Sequence, residues 1–245
     1  MHLDRTALEV SSVLFVATLI RSSFGFGEAL FAVPLLALLI PIQLAVPVAA
    51  LVSITVALVV VLQDWRDVNA QSAGRLVIAT LFGIPLGLLL LKTVAEPKIK
   101  AILGVIILLF ACYSLLRRRP GELHDDKLSW LFGFTAGVLG GAYGMNGPPL
   151  VVYGTLRRWS PVQFRATLQG YFLPASTVIV IGYWVTGLMT AAVLHLYLQS
   201  LPPVFVAILA GRAINRRLHP SRFAFYLYTA LAVIGVVLLA QAWRR

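Results

Sequence analysis

The chain contains 245 residues, of which 60% are hydrophobic and only 12% are charged, and its mean hydropathy is +0.90. These values exclude an ordinary soluble domain. A formal net charge of +11 would suggest nucleic-acid binding in a soluble protein. Here, however, the Lys and Arg residues lie in short segments between apolar stretches, where they are typical of membrane topology. We therefore expect a multi-pass membrane protein that contacts lipid and binds no nucleic acid.

Apolar stretches near the length of a membrane-spanning helix follow one another along the chain. A helix needs roughly 20 apolar residues to cross a bilayer, and the stretches that approach this length are residues 42–62, 76–91, 99–116, 178–198 and 223–242. The apolar stretch after Arg5 has no small-residue cleavage pattern, so we interpret it as retained structure rather than a signal peptide. The sequence thus predicts an all-α polytopic membrane protein.

One pattern occurs twice, once in each half of the chain. Residues 24–30 read FGFGEAL and residues 144–150 read GMNGPPL, and each run interrupts an apolar stretch with glycines. A second match between the halves follows, because residues 41–43 (PIQ) correspond to residues 161–163 (PVQ). A glycine-interrupted hydrophobic segment at matching positions of two halves is typical of secondary transporters. We therefore divide the chain into a first membrane repeat, residues 1–120, and a second, residues 121–245.

The positive charges favour interrupted segments that fold back rather than cross the membrane. If each interrupted segment crossed once, the Lys and Arg residues would divide almost evenly between the two sides. If each forms a re-entrant or broken helical hairpin, one side gathers Arg66, Arg75, Arg117, Arg118, Arg119, Lys127, Arg157, Arg158, Arg165, Arg212, Arg216, Arg217 and Arg222, against Arg5, Lys92, Lys98, Lys100, Arg244 and Arg245. The positive-inside rule prefers the second arrangement. Each half is then a hairpin plus three transmembrane helices, so the two repeats are inverted.

The two interruptions form the predicted substrate site. Short second limbs begin at Glu28 and Pro148, and non-helical backbone at membrane depth must be buried or line a cavity, so we expect the breaks to face each other. Helix N-termini attract anions, and glycines allow close backbone approach; close helix packing is the alternative role for the glycines. The predicted substrate-binding residues are Gly25, Phe26, Gly27, Glu28, Gly144, Met145, Asn146, Gly147, Gln169 and Tyr171.

For the other polar residues at membrane depth, the sequence allows alternative roles. Glu28 and Arg21 could be a structural pair that brace the hairpin tip, or Glu28 could be a protonatable group that couples proton and anion movement. Protons are therefore the candidate coupling ion. His195 and Gln199 lie one helical turn apart and could form a relay or an interhelical hydrogen bond. For Ser53 and Thr55, a hydrogen bond to their own helix is the simpler expectation.

These motifs resemble the sulfite exporter TauE/SafE family, whose members move small anions across bacterial inner membranes. The resemblance rests on residues 24–30 with Pro34-Leu35, on residues 140–150, on residues 164–167 and on Gly211-Arg212, and it covers nearly the whole chain. It implies a substrate among sulfite, sulfoacetate and other small organosulfonates or sulfur oxyanions. The second break departs from the more usual glycine-rich form at Tyr143, Met145 and Asn146, which bears on the identity of the substrate rather than on its class.

Two alternative functions, a passive anion channel and a membrane-embedded enzyme, require features that the sequence largely lacks. A passive anion channel needs a continuous polar pore, whereas the sequence shows only two polar interruptions. A membrane-embedded enzyme needs convergent acids, histidines or a nucleophile, yet no Asp or Glu follows Asp126. We therefore predict a secondary transporter of a small anion, not an enzyme, that uses no metal or other cofactor.

Overall fold

The structure, a computed structural model, describes residues 2–24, 27–64, 70–116, 123, 126–159, 161–215 and 220–243. These residues are almost entirely helical, which confirms the predicted all-α architecture. The first half forms α1 (His2–Phe24), α2 (Glu28–Leu39), α3 (Ile42–Asp64), α4 (Ala70–Thr93) and α5 (Glu96–Leu116). After a short 3-10 turn (Asp126–Leu128), the second half forms α6 (Ser129–Tyr143), α7 (Gly147–Leu156), α8 (Pro161–Val185), α9 (Ala191–Asn215) and α10 (Pro220–Trp243).

Five helices in the described part of the chain are long and apolar enough to cross a bilayer. Their apolar windows are Thr6–Ser23, Ile42–Val59, Ala73–Thr93, Glu96–Leu116 and Ala191–Gly211. The prediction of one continuous apolar span over residues 178–198 is wrong. The chain turns within it, because α8 ends at Val185 and Gly187 adopts a left-handed conformation with φ of 76° before α9 begins. The neighbours Leu188 and Met189 are apolar, so hydropathy does not reveal this turn.

Both halves contain a short second helix that cannot span a bilayer. Helices α2 and α7 have 12 and 10 residues, which correspond to about 18 and 15 Å at 1.5 Å per residue. In the second half the chain demonstrably folds back: the Leu123 N–H donates to the Leu156 carbonyl at 2.9 Å, and Arg157 Nη1 donates to the Leu123 carbonyl at 3.0 Å. The segment before α6 therefore meets the end of α7, so these two helices form a hairpin.

The helices of the two halves pack in an exchanged pattern. Helix α1 packs against α9 and α4 packs against α6, so the first helix of each half contacts the fourth helix of the other. Helices α3 and α8 pack together, as do α5 and α10. Helices α3 and α8 are each the third helix of their half, and α5 and α10 are each the fifth. Two repeats related by an approximate two-fold axis produce this pattern of contacts. The inversion of the repeats across the membrane and their boundary at residue 120 stay predictions.

Small residues allow the closest of these contacts, between α4 and α6. A Cβ atom on any of five glycines would overlap backbone atoms of the opposite helix: Gly83 and Gly87 on α4, and Gly133, Gly137 and Gly141 on α6. The Thr80 hydroxyl also donates to the Gly133 carbonyl at 2.8 Å. Helices in lipid gain little from apolar burial against each other and associate through such close packing. This pair of helices fixes the second hairpin against the first half.

Candidate functional site

The two chain breaks line one cavity. The space between them measures about 300 Å³ with its opening included. The described lining residues come from both halves: Arg21, Gly27, Glu28, Ala29, Leu30 and Ser53 from the first, and Gly144, Met145, Asn146, Gly147, Pro148 and Phe172 from the second. The structure therefore brings together most of the residues that the sequence singled out. Their contact with a substrate stays a prediction.

The first break presents a helix N-terminus to the cavity. Gly27 precedes α2 with φ of 100°, a left-handed conformation that favours glycine because a Cβ atom would strain it. Glu28, Ala29 and Leu30 form the first turn of α2 and line the cavity. The N–H groups of a first helical turn have no partner within the helix, so this end offers three backbone donors and a partial positive charge.

The second break is not equivalent to the first. Gly144 ends α6 with φ of 65°, and its N–H donates to the Gly140 carbonyl at 2.8 Å. Helix α7 begins at Gly147, one residue before the predicted start. Because Pro148 and Pro149 lack an N–H group, this helix start offers few backbone donors. A Cβ atom on Gly147 would lie 3.9 Å from Phe172, so no close contact requires glycine there.

Asn146 supplies the donor that the prolines remove. Its side chain is 5% exposed and lines the cavity, and it makes no capping hydrogen bond to α7. Among the residues described by the structure, its Nδ2 atom has no hydrogen-bond partner in good geometry, although the side chain lies beside the Tyr171 hydroxyl. An amide donor that is buried without a partner is rare in folded proteins. Asn146 is therefore suited to a ligand that accepts hydrogen bonds.

Arg21 and Glu28 form a buried ion pair at the edge of the same cavity. Arg21 Nη1 donates to Glu28 Oε2 at 2.7 Å, and the two side chains are 4% and 1% exposed. The same Nη1 atom lies 2.5 Å from the Ser53 hydroxyl oxygen, and the Thr18 hydroxyl donates to Glu28 Oε1 at 3.3 Å. The pairing predicted from the sequence is thus present. Within the part of the chain that the structure describes, Arg21 Nε and Nη2 have no hydrogen-bond partner.

Two lining residues, Ser53 and Phe172, are not among the predicted substrate-binding residues, and the sequence favours a hydrogen bond from Ser53 to its own helix. Ser53 instead accepts a hydrogen bond from Arg21, and the Phe172 ring centroid lies 5.3 Å from the Arg21 guanidinium carbon. Aligned on residues 41–43 and 161–163, Ser53 matches Leu173 and Phe172 matches Val52, so the two lining residues occupy adjacent positions of the repeat and not the same one. Alignment of the two repeats therefore does not single out this pair, and the contact with Arg21 depends on how the helices pack.

Several other candidates do not reach the cavity or lie outside the described residues. Gly25 and Phe26, and the side chain of Gln169, are outside them. Tyr171 does not line the cavity; its hydroxyl lies 2.6 Å from the Thr80 hydroxyl and beside the Asn146 side chain. The side chains of His195 and Gln199 are exposed on the outside of α9, which supports neither role considered for them. Thr55 bonds back to the Leu51 carbonyl at 3.0 Å, as expected.

Comparisons with known proteins agree with this architecture. The sequence profile of the family described as "Sulfite exporter TauE/SafE" matches residues 10–238. The chain is 29% identical over 180 residues, 73% of its length, to a Cupriavidus necator protein described as "Probable sulfite/organosulfonate exporter TauE", of which the match covers 70%. No solved structure matches. The chain therefore belongs to the sulfite exporter TauE/SafE family, whose members are multi-pass membrane transporters of the bacterial inner membrane and not enzymes.

Proposed function

We propose that this protein is a secondary transporter that carries sulfite or a small organosulfonate through the cavity between its two chain breaks. The observation that carries the proposal is that one break from each half lines the same cavity, together with buried polar donors. The family description and the Cupriavidus necator relative name the same substrate class. Location of the site between two repeats also suits alternating access, in which one repeat rocks against the other around a fixed site.

The chemistry of the lining favours an anion that accepts several hydrogen bonds. The first turn of α2 supplies backbone N–H groups and a partial positive charge, and Asn146 supplies an amide donor. Arg21 supplies the one cationic side chain among the described lining residues. Sulfite and sulfonate groups carry three oxygens around sulfur, so they can accept from several of these donors at once. The apolar lining residues Leu30, Met145 and Phe172 leave room for a short organic group.

Transport by purified protein in liposomes tests this proposal. We expect saturable uptake of labelled sulfite and labelled methanesulfonate, and faster uptake into vesicles preloaded with the unlabelled anion. Asn146→Ala should reduce the affinity about 10- to 100-fold, since a hydrogen bond to a charged partner contributes about 1.5–3 kcal/mol. His195→Ala is the matched control because its side chain is exposed away from the cavity, and it should leave uptake unchanged.

Two results would contradict the proposal. Uptake that does not saturate and is not accelerated by preloaded anion would indicate a passive channel. Absence of sulfite and methanesulfonate uptake by a correctly folded protein would reject the substrate class. Imposed pH gradients in the same vesicles then test proton coupling, because a proton-coupled transporter accumulates the anion only when the gradient is present.

A further inference from the structure

We propose that Arg21 is the oxyanion receptor of this cavity and that it binds two oxygens of one sulfite or sulfonate group through the side edge of its guanidinium plane. This inference rests on the proposed function and assigns its central contact. From the sequence alone, the role expected of Arg21 is that of partner to Glu28. In the structure this partnership uses a single guanidinium nitrogen, Nη1, and the other two nitrogens have no hydrogen-bond partner among the described residues.

The two nitrogens without a described partner, Nε and Nη2, are the pair that can bind two oxygens of one anion. Nε and Nη2 lie along one edge of the planar guanidinium and direct their N–H bonds nearly parallel to each other. Such an edge matches two oxygens on one central atom, which is why Arg rather than Lys recognises carboxylate and phosphate in this way. The group is 4% exposed and lines the cavity. A buried guanidinium edge without partners is energetically unfavourable unless a ligand satisfies it.

The remaining contacts hold this edge in place. Nη1 is held by Glu28 and Ser53, and the Phe172 ring lies 5.3 Å from the guanidinium carbon. Glu28 is in turn held by the Thr18 hydroxyl at 3.3 Å. These contacts come from α1, α2, α3 and α8, so the orientation of Arg21 is set by helices of both halves. Ser53 and Phe172 are therefore positioning residues for the receptor edge.

Binding measurements on the purified full-length protein test this assignment, with methanesulfonate as the oxyanion probe and chloride as the monatomic control. Arg21→Lys keeps the charge and one bond to Glu28 but removes the paired donors. We expect it to weaken methanesulfonate binding about 10- to 100-fold, in line with the loss of one charge-assisted hydrogen bond. A single chloride ion can accept from both parallel donors only through bent hydrogen bonds, so its binding should change less than that of methanesulfonate.

Ser53→Ala provides a second variant that removes only one support of Arg21. It should weaken methanesulfonate binding about three- to tenfold, less than Arg21→Lys, because the hydrogen bond from the Arg21 cation to Ser53 acts on the anion only through the position of Arg21. Thr55→Ala on the same helix is its matched control, since Thr55 bonds to Leu51 and Tyr197 and does not line the cavity. It should bind methanesulfonate as the wild type does. If Arg21→Lys does not fold, the comparison of Ser53→Ala with Thr55→Ala decides.

Three outcomes would overturn the assignment. They are unchanged methanesulfonate affinity in Arg21→Lys, equal losses for methanesulfonate and chloride in that variant, and unchanged affinity in Ser53→Ala. In each of these cases a wild-type protein that binds and transports methanesulfonate would still support the proposed function. A wild-type protein that binds no methanesulfonate would instead reject the proposed function itself.

Discussion

At the scale of single residues, Glu28 balances the positive charge of the buried Arg21 side chain. The pair lies within the protein with 4% and 1% exposure, and Thr18 and Ser53 each add one hydrogen bond to it. Removal of one member of a buried ion pair leaves an uncompensated charge and destabilises a protein by about 3–5 kcal/mol. The observed contacts therefore favour the bracing role over the coupling role for Glu28.

We expect Glu28→Gln to lower the thermal unfolding temperature of the purified protein and to reduce anion exchange and pH-driven accumulation alike. The control is Glu96→Gln, which removes the half-exposed partner of Lys100 at 2.8 Å on α5. An ion pair near the surface contributes less than about 1 kcal/mol, so this variant should unfold close to the wild-type temperature. A Glu28→Gln protein that keeps its stability and its exchange activity but loses pH-driven accumulation would show that Glu28 couples protons instead.

Sequence reasoning identified individual residues of the site better than their contacts. Glycine at positions 27 and 144 and the acid at position 28 stand out in apolar surroundings, and all three line the cavity. Ser53 does not stand out, because a serine within a helix usually bonds to its own backbone. Its contact with Arg21 depends on how α1 and α3 cross, which no local pattern specifies.

At the scale of helices, the two halves contribute corresponding helices to the site but different side chains. Each half supplies a break and one residue of its third helix, Ser53 on α3 or Phe172 on α8. The charged pair comes from the first half only, and the prolines of the second half reduce its backbone donors. The repeat seen in the sequence therefore predicts which segments form the site. The groups that bind a ligand depend on the residues in which the two halves differ.

Close contact between α4 and α6 gives the clearest test at this scale. Gly137→Val should destabilise the protein by about 3 kcal/mol or more, because overpacking costs about 1–3 kcal/mol even where side chains can adjust. Here the added Cβ atom would meet the Thr80 backbone, which cannot move aside. Gly74→Val on α4 is the matched control, since nothing lies within 4 Å of its Cβ position. Thermal unfolding in detergent measures both variants, and equal stabilities would contradict the packing described.

The glycine spacing of this contact was visible in the sequence. Gly133, Gly137 and Gly141 recur every fourth residue, as do Gly83 and Gly87, which is the small-residue spacing typical of close helix pairs in membranes. The spacing does not say which helix packs against which. That choice pairs helices from opposite halves and follows from the complete arrangement of the bundle.

For the whole molecule, the distribution of positive charge predicts the orientation in the membrane. We expect both termini on the periplasmic face and the connection between the halves on the cytoplasmic face. The test uses single cysteines in a Cys112→Ser background, because Cys112 is exposed. A membrane-impermeant thiol reagent added to intact cells should label Ala95→Cys, which is exposed between α4 and α5, and should not label Leu123→Cys. The reverse labelling would contradict the predicted orientation, and labelling of both positions would contradict the inverted repeats.

The central claim is that the anion occupies the cavity between the two breaks, and substrate protection of Met145→Cys tests it most directly. Met145 is 1% exposed and lines the cavity, so a cysteine there should react with a small neutral thiol reagent only through that space. In the Cys112→Ser background, methanesulfonate should slow this reaction in a saturable manner and leave Ala95→Cys unaffected. An unchanged reaction rate of Met145→Cys, at methanesulfonate concentrations that saturate transport, would contradict the account.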